Sequence, residues 1–380
     1  MSDKTMRDLT LSTGQLLIIG FDGTEMSPRL ASLLKKIQPA GVILFARNIQ
    51  SAEQTRTLLN ECRKRVATPL FTCVDLEGGT VDRFRNVLGG APSPADVFAT
   101  GRRALFRKHG RVIGENCYAL GFNVDFAPVL DLAHQASQSV LSSRAVSSDP
   151  KQVVTYAREF LRGLREAGVL GCGKHFPGLG EGRLDSHLEL PVIDKSLKKM
   201  LLEDIYPFRI LRTATPFVMV SHAAYPQVTG DRTPASLSRK WISDILRKKI
   251  RYNGLIVSDD LEMGAVLNFA PIEQTAIQHI RAGGDLALIC HKEEMILRAY
   301  EALIHEAERD RKFASRVAQT IERTQILRRK LLNVFLAKGP SRNSPKAERL
   351  SRQLWEFGEE VRVAALANWK SMTAKKKGRA

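Results

Sequence analysis

Residues 174–187 read KHFPGLGEGRLDSH and set Asp185 two positions before His187 in a polar, glycine-rich loop. A carboxylate that close to an imidazole can fix the ring's tautomer and raise its basicity, as a general acid/base requires. With an unperturbed pKa of about 6.5, the ring can hold or release a proton at neutral pH. Further on, LIVSDDLEM (255–263) ends an apolar run on two carboxylates, Asp259 and Asp260. Taken singly, each feature has a plainer reading. Asp-x-His in a polar loop makes a surface turn, and an Asp at a strand end caps the next helix. The same residue types could also hold a metal, because His175, Asp185, His187, His222 and Asp259 supply the imidazoles and carboxylates of a zinc or manganese centre. No two of those histidines have the i, i+4 spacing of a His-Glu-x-x-His helix, so no metal is expected.

Something must bring residues so far apart together, and the chain repeats one unit that can. Short β-branched apolar runs alternate with polar loops and helix-period stretches. The runs are LLIIGF (16–21), GVILF (41–45), LFTCVD (70–75), NVDFAP (123–128), GVLGCGKHF (168–176), FVMVSHA (217–223), LIVSDD (255–260) and LALIC (286–290). Eight strands alternating with helices predict a single (β/α)8 barrel of the TIM type, whose sheet is buried on both faces. The helices are expected at 51–66 and 148–168, the second with Asp149 as its cap and Pro150 at its first position. A doubly wound sheet is the rival, but no Gly-x-Gly-x-x-Gly follows the first run. In a barrel, chemistry sits where strands pass into loops at the C-terminal face. Asp75, Lys174, His175, His222 and Asp259 all fall at such ends.

The two loop motifs resemble the signature of family 3 glycoside hydrolases of the β-N-acetylhexosaminidase kind. GVILFARNI (41–49), VDLEGGTVDRF (74–84), GFNVDFAPVLDL (121–132) and VSHAAYP (220–226) resemble further blocks of that family, over roughly residues 10–335. The chain departs from the pattern at Thr80, where the family has Arg, and at Leu179, where it has His. The resemblance implies a retaining exo-β-N-acetylglucosaminidase without a cofactor. Asp259 would be its nucleophile, and His187 with Asp185 its acid/base in place of the usual second carboxylic acid. It also implies that Asp75, Arg83, Arg144, Lys174 and His175 hold the terminal sugar through charge-assisted hydrogen bonds. Asp131 is a further candidate, and Glu181 a rival proton donor. The implied substrates are N-acetylglucosamine-containing saccharides or muropeptides met in cell-wall recycling. A β-glucosidase or a phosphorylase of the same family remains an alternative, because an imidazole acid/base does not repel phosphate as a carboxylate would.

Composition sets the outer bounds. The 380 residues are 43% hydrophobic and 26% charged, which suits a globular protein with a large core. Five scattered cysteines without a Cys-x-x-Cys argue against a disulfide framework or a zinc knuckle. With no signal-like start and no apolar run of the roughly 20 residues a membrane span needs, a cytoplasmic location is expected. The barrel is expected over 1–337, and a linker, an extra helix and a basic tail over 338–380. In that last stretch Leu354, Gly358, Val361 and Ala365 recur at helical spacing. Of the net charge of +18, +7 lies there, from eleven Lys/Arg against four Glu. The Lys375–Arg379 cluster has no aromatic residue within it, so it is expected to be solvated surface and no nucleic-acid partner is expected. A silent sugar- or nucleic-acid-binding barrel is the non-enzymatic alternative. Oligomeric state is left open.

Overall fold

Each of the eight apolar runs forms a strand in the computed structural model, which describes residues 12–137, 141–181, 190–338 and 347–377. The barrel strands are β1 (Leu17–Ile19), β2 (Gly41–Ile43), β3 (Phe71–Val74), β6 (Val124–Asp125), β7 (Leu170–Phe176), β8 (Phe217–Val220), β9 (Leu255–Asp260) and β10 (Leu286–Ile289). All pair in parallel, and β10 closes on β1 with Leu17 opposite Ala287 and Ile19 opposite Ile289. Two short strands, β4 (Leu76–Gly78) and β5 (Val81–Asp82), form a hairpin outside the barrel. Gly78 makes this turn possible. Its φ is +87°, and a Cβ there would lie 2.3 Å from the Pro92 carbonyl oxygen.

The helices begin where the sequence places caps. Ser51 accepts from the Gln54 amide at the head of Ala52–Arg65, and Asp149 accepts from the Lys151 amide at the head of Pro150–Ala167. The second helix ends on Gly168 at φ 89°. Strand side chains that point inward fill the barrel, with Phe71 and Phe217 edge to face at 5.2 Å. The bottom of the barrel is closed by helix Arg311–Lys338. Leu332 joins the interior cluster, and Arg328, only 1% exposed, lies 5.1 Å over the Phe71 ring and donates to Gln15 Oε1 at 2.6 Å.

After β10 the chain continues as two helices, Glu293–Arg309 and Arg311–Lys338. Asp310 separates them and accepts from the amides of Lys312 and Phe313. A last helix, Ala347–Lys377, packs on the barrel's outer helices. Its docked seam is Leu350, Leu354, Phe357, Val361 and Ala364. Phe357 and Ala364 thus occupy the places expected for Gly358 and Ala365. Phe357 wins because its ring stacks on buried His109 at 5.8 Å. No helix among the described residues is long and apolar enough to cross a membrane.

Candidate active site

Asp75, Arg83, Arg144, Lys174, His175 and Asp259 line one cavity of about 170 Å³ at the C-terminal mouth of the barrel. They arrive from five places along the chain. Asp75 follows β3, Arg83 follows the hairpin, and Lys174 and His175 lie near the end of β7. Arg144 ends a short helical turn, Ser142–Arg144, and Asp259 is the penultimate residue of β9. Asp185 and His187 lie outside the described residues.

Glu77 organises the centre of the site, and the sequence reading assigned it no role. At 1% exposure it accepts both Nε and Nη2 of Arg144 at 2.8 Å, and its Oε1 lies 2.6 Å from Lys174 Nζ. The bidentate geometry matches a planar guanidinium to a carboxylate. Lys174 also donates to Asp75 Oδ1 at 2.8 Å. Burial works against the Glu77 charge, but Arg144 and Lys174 overcome it and hold the carboxyl below the usual carboxylate range. Burial likewise opposes the Lys174 charge, and Asp75 and Glu77 hold that ammonium above its ordinary pKa. A buried acid in a glycine hairpin demands cations, and that is the signal by which Glu77 could have been found.

Asp131 acquires a definite position. Its carboxylate accepts from the amides of His175 and Leu179 at 3.1 and 2.7 Å and faces His175 Nδ1 at 2.7 Å. A carboxylate only accepts, so Nδ1 carries the ring proton and the imidazole is fixed in orientation. Leu179, the departure from the family pattern, is 7% exposed and lines the cavity. Thr80 is exposed at the hairpin turn. Arg83 lies 5.5 Å over the Phe45 ring, and its buried Nε finds no hydrogen-bond partner among the described residues.

The two adjacent carboxylates of β9 both line the cavity but have different partners. Asp260 accepts from the Glu262 amide at 3.1 Å and pairs with His291 Nε2 at 3.3 Å. That hydrogen bond raises the His291 pKa. Asp259 Oδ1 accepts from the Asp260 amide at 2.9 Å. Burial pushes the Asp259 pKa upward, but His175, His222 and the Asp260 amide more than offset it, so the group stays below its ordinary value and anionic at neutral pH.

His222 is a support rather than a free ligand. Its Nε2 faces the Asp260 carbonyl oxygen at 2.8 Å and its Nδ1 faces Ser236 Oγ at 2.7 Å. A carbonyl only accepts, so Nε2 carries a proton, and burial lowers the ring's pKa. Both nitrogens are therefore engaged in holding the strand end that carries Asp259. Glu181, the rival proton donor, is paired with Lys195 Nζ at 3.0 Å. Burial raises its pKa, but the Lys195 hydrogen bond and charge prevail and lower it.

Known proteins match this arrangement. The model of the Glycosyl hydrolase family 3 N terminal domain matches residues 9–327. A beta-hexosaminidase of Idiomarina loihiensis is 35% identical over 290 residues, 75% of this chain and 87% of the relative. One of Alkalilimnicola ehrlichii is 38% identical over 287 residues, 74% and 82% of the two chains. Among solved structures, a family 3 beta-N-acetylglucosaminidase from Paenibacillus sp. superposes with a TM-score of 0.84 at 30% identity, covering 92% of this chain and 68% of that one. With a barrel closed by eight parallel strands, charged residues gathered at its C-terminal mouth and a family match spanning most of its length, the chain belongs to glycoside hydrolase family 3.

Proposed function

We propose that the protein is a retaining exo-β-N-acetylglucosaminidase. The observation that carries this reading is the placement of Asp259, a carboxylate held anionic, in the same cavity as Asp75, Lys174, His175 and Arg144. A volume of about 170 Å³ is on the scale of one sugar ring, which suits removal of a terminal residue. The relatives named beta-hexosaminidase, and the beta-N-acetylglucosaminidase fold neighbour, support an N-acetylated sugar in that place.

In the first step a carboxylate oxygen of Asp259 attacks the anomeric carbon and the glycosidic bond breaks. His187, held by Asp185, gives its proton to the departing oxygen. In the second step His187 takes a proton from water, whose oxygen attacks the same carbon and frees Asp259. Asp75 and Lys174 would bind sugar hydroxyls, and Arg83 has an unpaired buried nitrogen to offer a substrate oxygen. Fragments of the cell wall met in a cytoplasmic recycling route are the substrates this reading favours, and their carboxylates would be drawn to a chain of net charge +18.

The test is a hydrolysis screen with aryl β-N-acetylglucosaminide, β-glucoside and β-xyloside, with and without phosphate. Release from the N-acetylglucosaminide, unchanged by phosphate and with β-configured product, is expected. Preference for the glucoside, or a sugar phosphate as product, would overturn the reading.

A further inference from the structure

The last helix, Ala347–Lys377, carries a second pattern opposite the seam that docks it. Trp355, Val363, Leu366 and Trp369 stand 68, 58, 49 and 64% exposed. At roughly 100° of turn per residue the four fall within an arc of about 120° facing away from the docked side, in a stripe about 20 Å long. The other large hydrophobics exposed among the described residues, Val192, Leu202, Phe269 and Ile326, come from four separate segments. Isolated exposed apolar residues need no explanation, but a stripe on one helix does.

Charge accompanies the stripe. Arg352, Arg362 and Lys370 are exposed along the helix. Arg362 is paired with Glu359 at 2.6 Å, and the helix's four acids all lie at or before Glu360. From Val361 to Ala380 the sequence has six Lys/Arg and no Asp or Glu. Positive charge therefore grows toward the helix end. That end lies at the catalytic side of the barrel. Asn368 Nδ2 donates to the Ala99 carbonyl at 2.8 Å, just ahead of helix Arg103–Leu120, whereas Gln353 reaches Glu115 near that helix's other end. Helix Arg103–Leu120 leads down to the start of β6, so its first residues are at the level of the strands' C-terminal ends.

We propose that this stripe is a peripheral membrane-binding face for an anionic phospholipid surface. Trp355, Leu366 and Trp369 enter the headgroup region, where tryptophan is favoured, and the exposed Arg352 and Lys370 meet the phosphates. The proposal departs from the expectation that the tail is solvated surface. An anionic surface is favoured over a second copy of the chain, because a chain of net charge +18 would press two positive faces together. It is favoured over nucleic acid, because Trp355 and Trp369 stand about 20 Å apart along the helix with aliphatic Val363 and Leu366 between them, so the rings form no continuous platform for stacked bases. Seated this way, the catalytic mouth is held close to material at that surface. The proposal does not depend on which sugar the site cleaves.

The test uses the full chain in flotation with vesicles of phosphatidylcholine alone and of phosphatidylcholine with phosphatidylglycerol. The only other tryptophan, Trp241, is fully buried, so emission changes on binding report Trp355 and Trp369. Flotation with the anionic vesicles, weakened by salt and accompanied by a blue shift, is expected. The W355A/W369A variant should lose the shift and bind at least about tenfold more weakly, with unchanged circular dichroism. Replacing Lys375, Lys376 and Lys377 by Gln should weaken binding by about fivefold per charge. Three results would overturn the proposal. One is no flotation, or flotation unaltered in W355A/W369A. Another is a concentration-dependent blue shift with a dimeric mass in the absence of vesicles. The third is oligonucleotide binding lost in W355A/W369A while vesicles leave the protein unbound.

Discussion

Lys174 Nζ lies 2.6 Å from Glu77 Oε1 and 2.8 Å from Asp75 Oδ1, so one buried ammonium joins a carboxylate sealed behind the site to one that lines it. Breaking such an arrangement from one side leaves buried charge uncompensated, which is worth about 3–5 kcal/mol. Glu77→Gln keeps the shape and removes the charge. Thermal melts should show a clear loss of stability, and kcat/KM should fall on the order of a hundredfold as Arg144 and Lys174 lose their alignment. Parent-like melting and kinetics would remove Glu77 from the positioning role.

His187 should be distinguishable from a structural histidine by leaving group. A general acid matters most when the departing oxygen is poorly stabilised, so His187→Ala should be severely impaired on disaccharides and far less so with a nitrophenyl-type aglycone in the first step. Asp185→Ala should show a weaker form of the same selectivity. It should also move the alkaline limb of the first step to lower pH, because the imidazolium loses the carboxylate that stabilises it. Equal losses on both kinds of substrate would mean that the loop only positions sugar.

The sequence and the structure agree most where strand position decides chemistry. Asp75, Lys174, His175 and Asp259 could be placed at one mouth because each follows or ends an apolar run, and a closed barrel leaves those ends nowhere else to go. What escaped the sequence were partnerships across the barrel. Glu77 meets Arg144 over a separation of 67 residues, and Asp131 meets His175 over 44. Neither pairing leaves a periodic trace in the chain. Arg328 was hidden for a different reason. In a helix full of charge nothing marks the one arginine that turns under the barrel onto Phe71.

Two buried histidines should make stability respond to mild acid. His109 and His279 are fully buried, and burial lowers their pKa values to about 3 and about 4. In the unfolded chain both titrate near about 6.5, so between these values the unfolded state binds protons that the folded state does not. Stability is therefore lost as pH falls from 6.5. Glu77, whose pKa is depressed on folding, adds to the loss only below the ordinary carboxylate value of 4.5. Melting curves across this range should show the midpoint declining between pH 6.5 and 4.5. Asp125 and His291, whose pKa values are raised on folding, work against this decline, so the contradicting result is a pH dependence left unchanged when His109 and His279 are both replaced by Gln.

The central claim is that Asp259 forms a bond to the sugar. A slow fluorinated N-acetylglucosaminide should accumulate the glycosyl-enzyme, and peptide mass spectrometry should place the added sugar on Asp259, with Asp259→Ala losing several orders of magnitude in rate. One label, on Asp259, and product of retained configuration are expected. A label on Asp260, or inverted product with no covalent adduct, would contradict it.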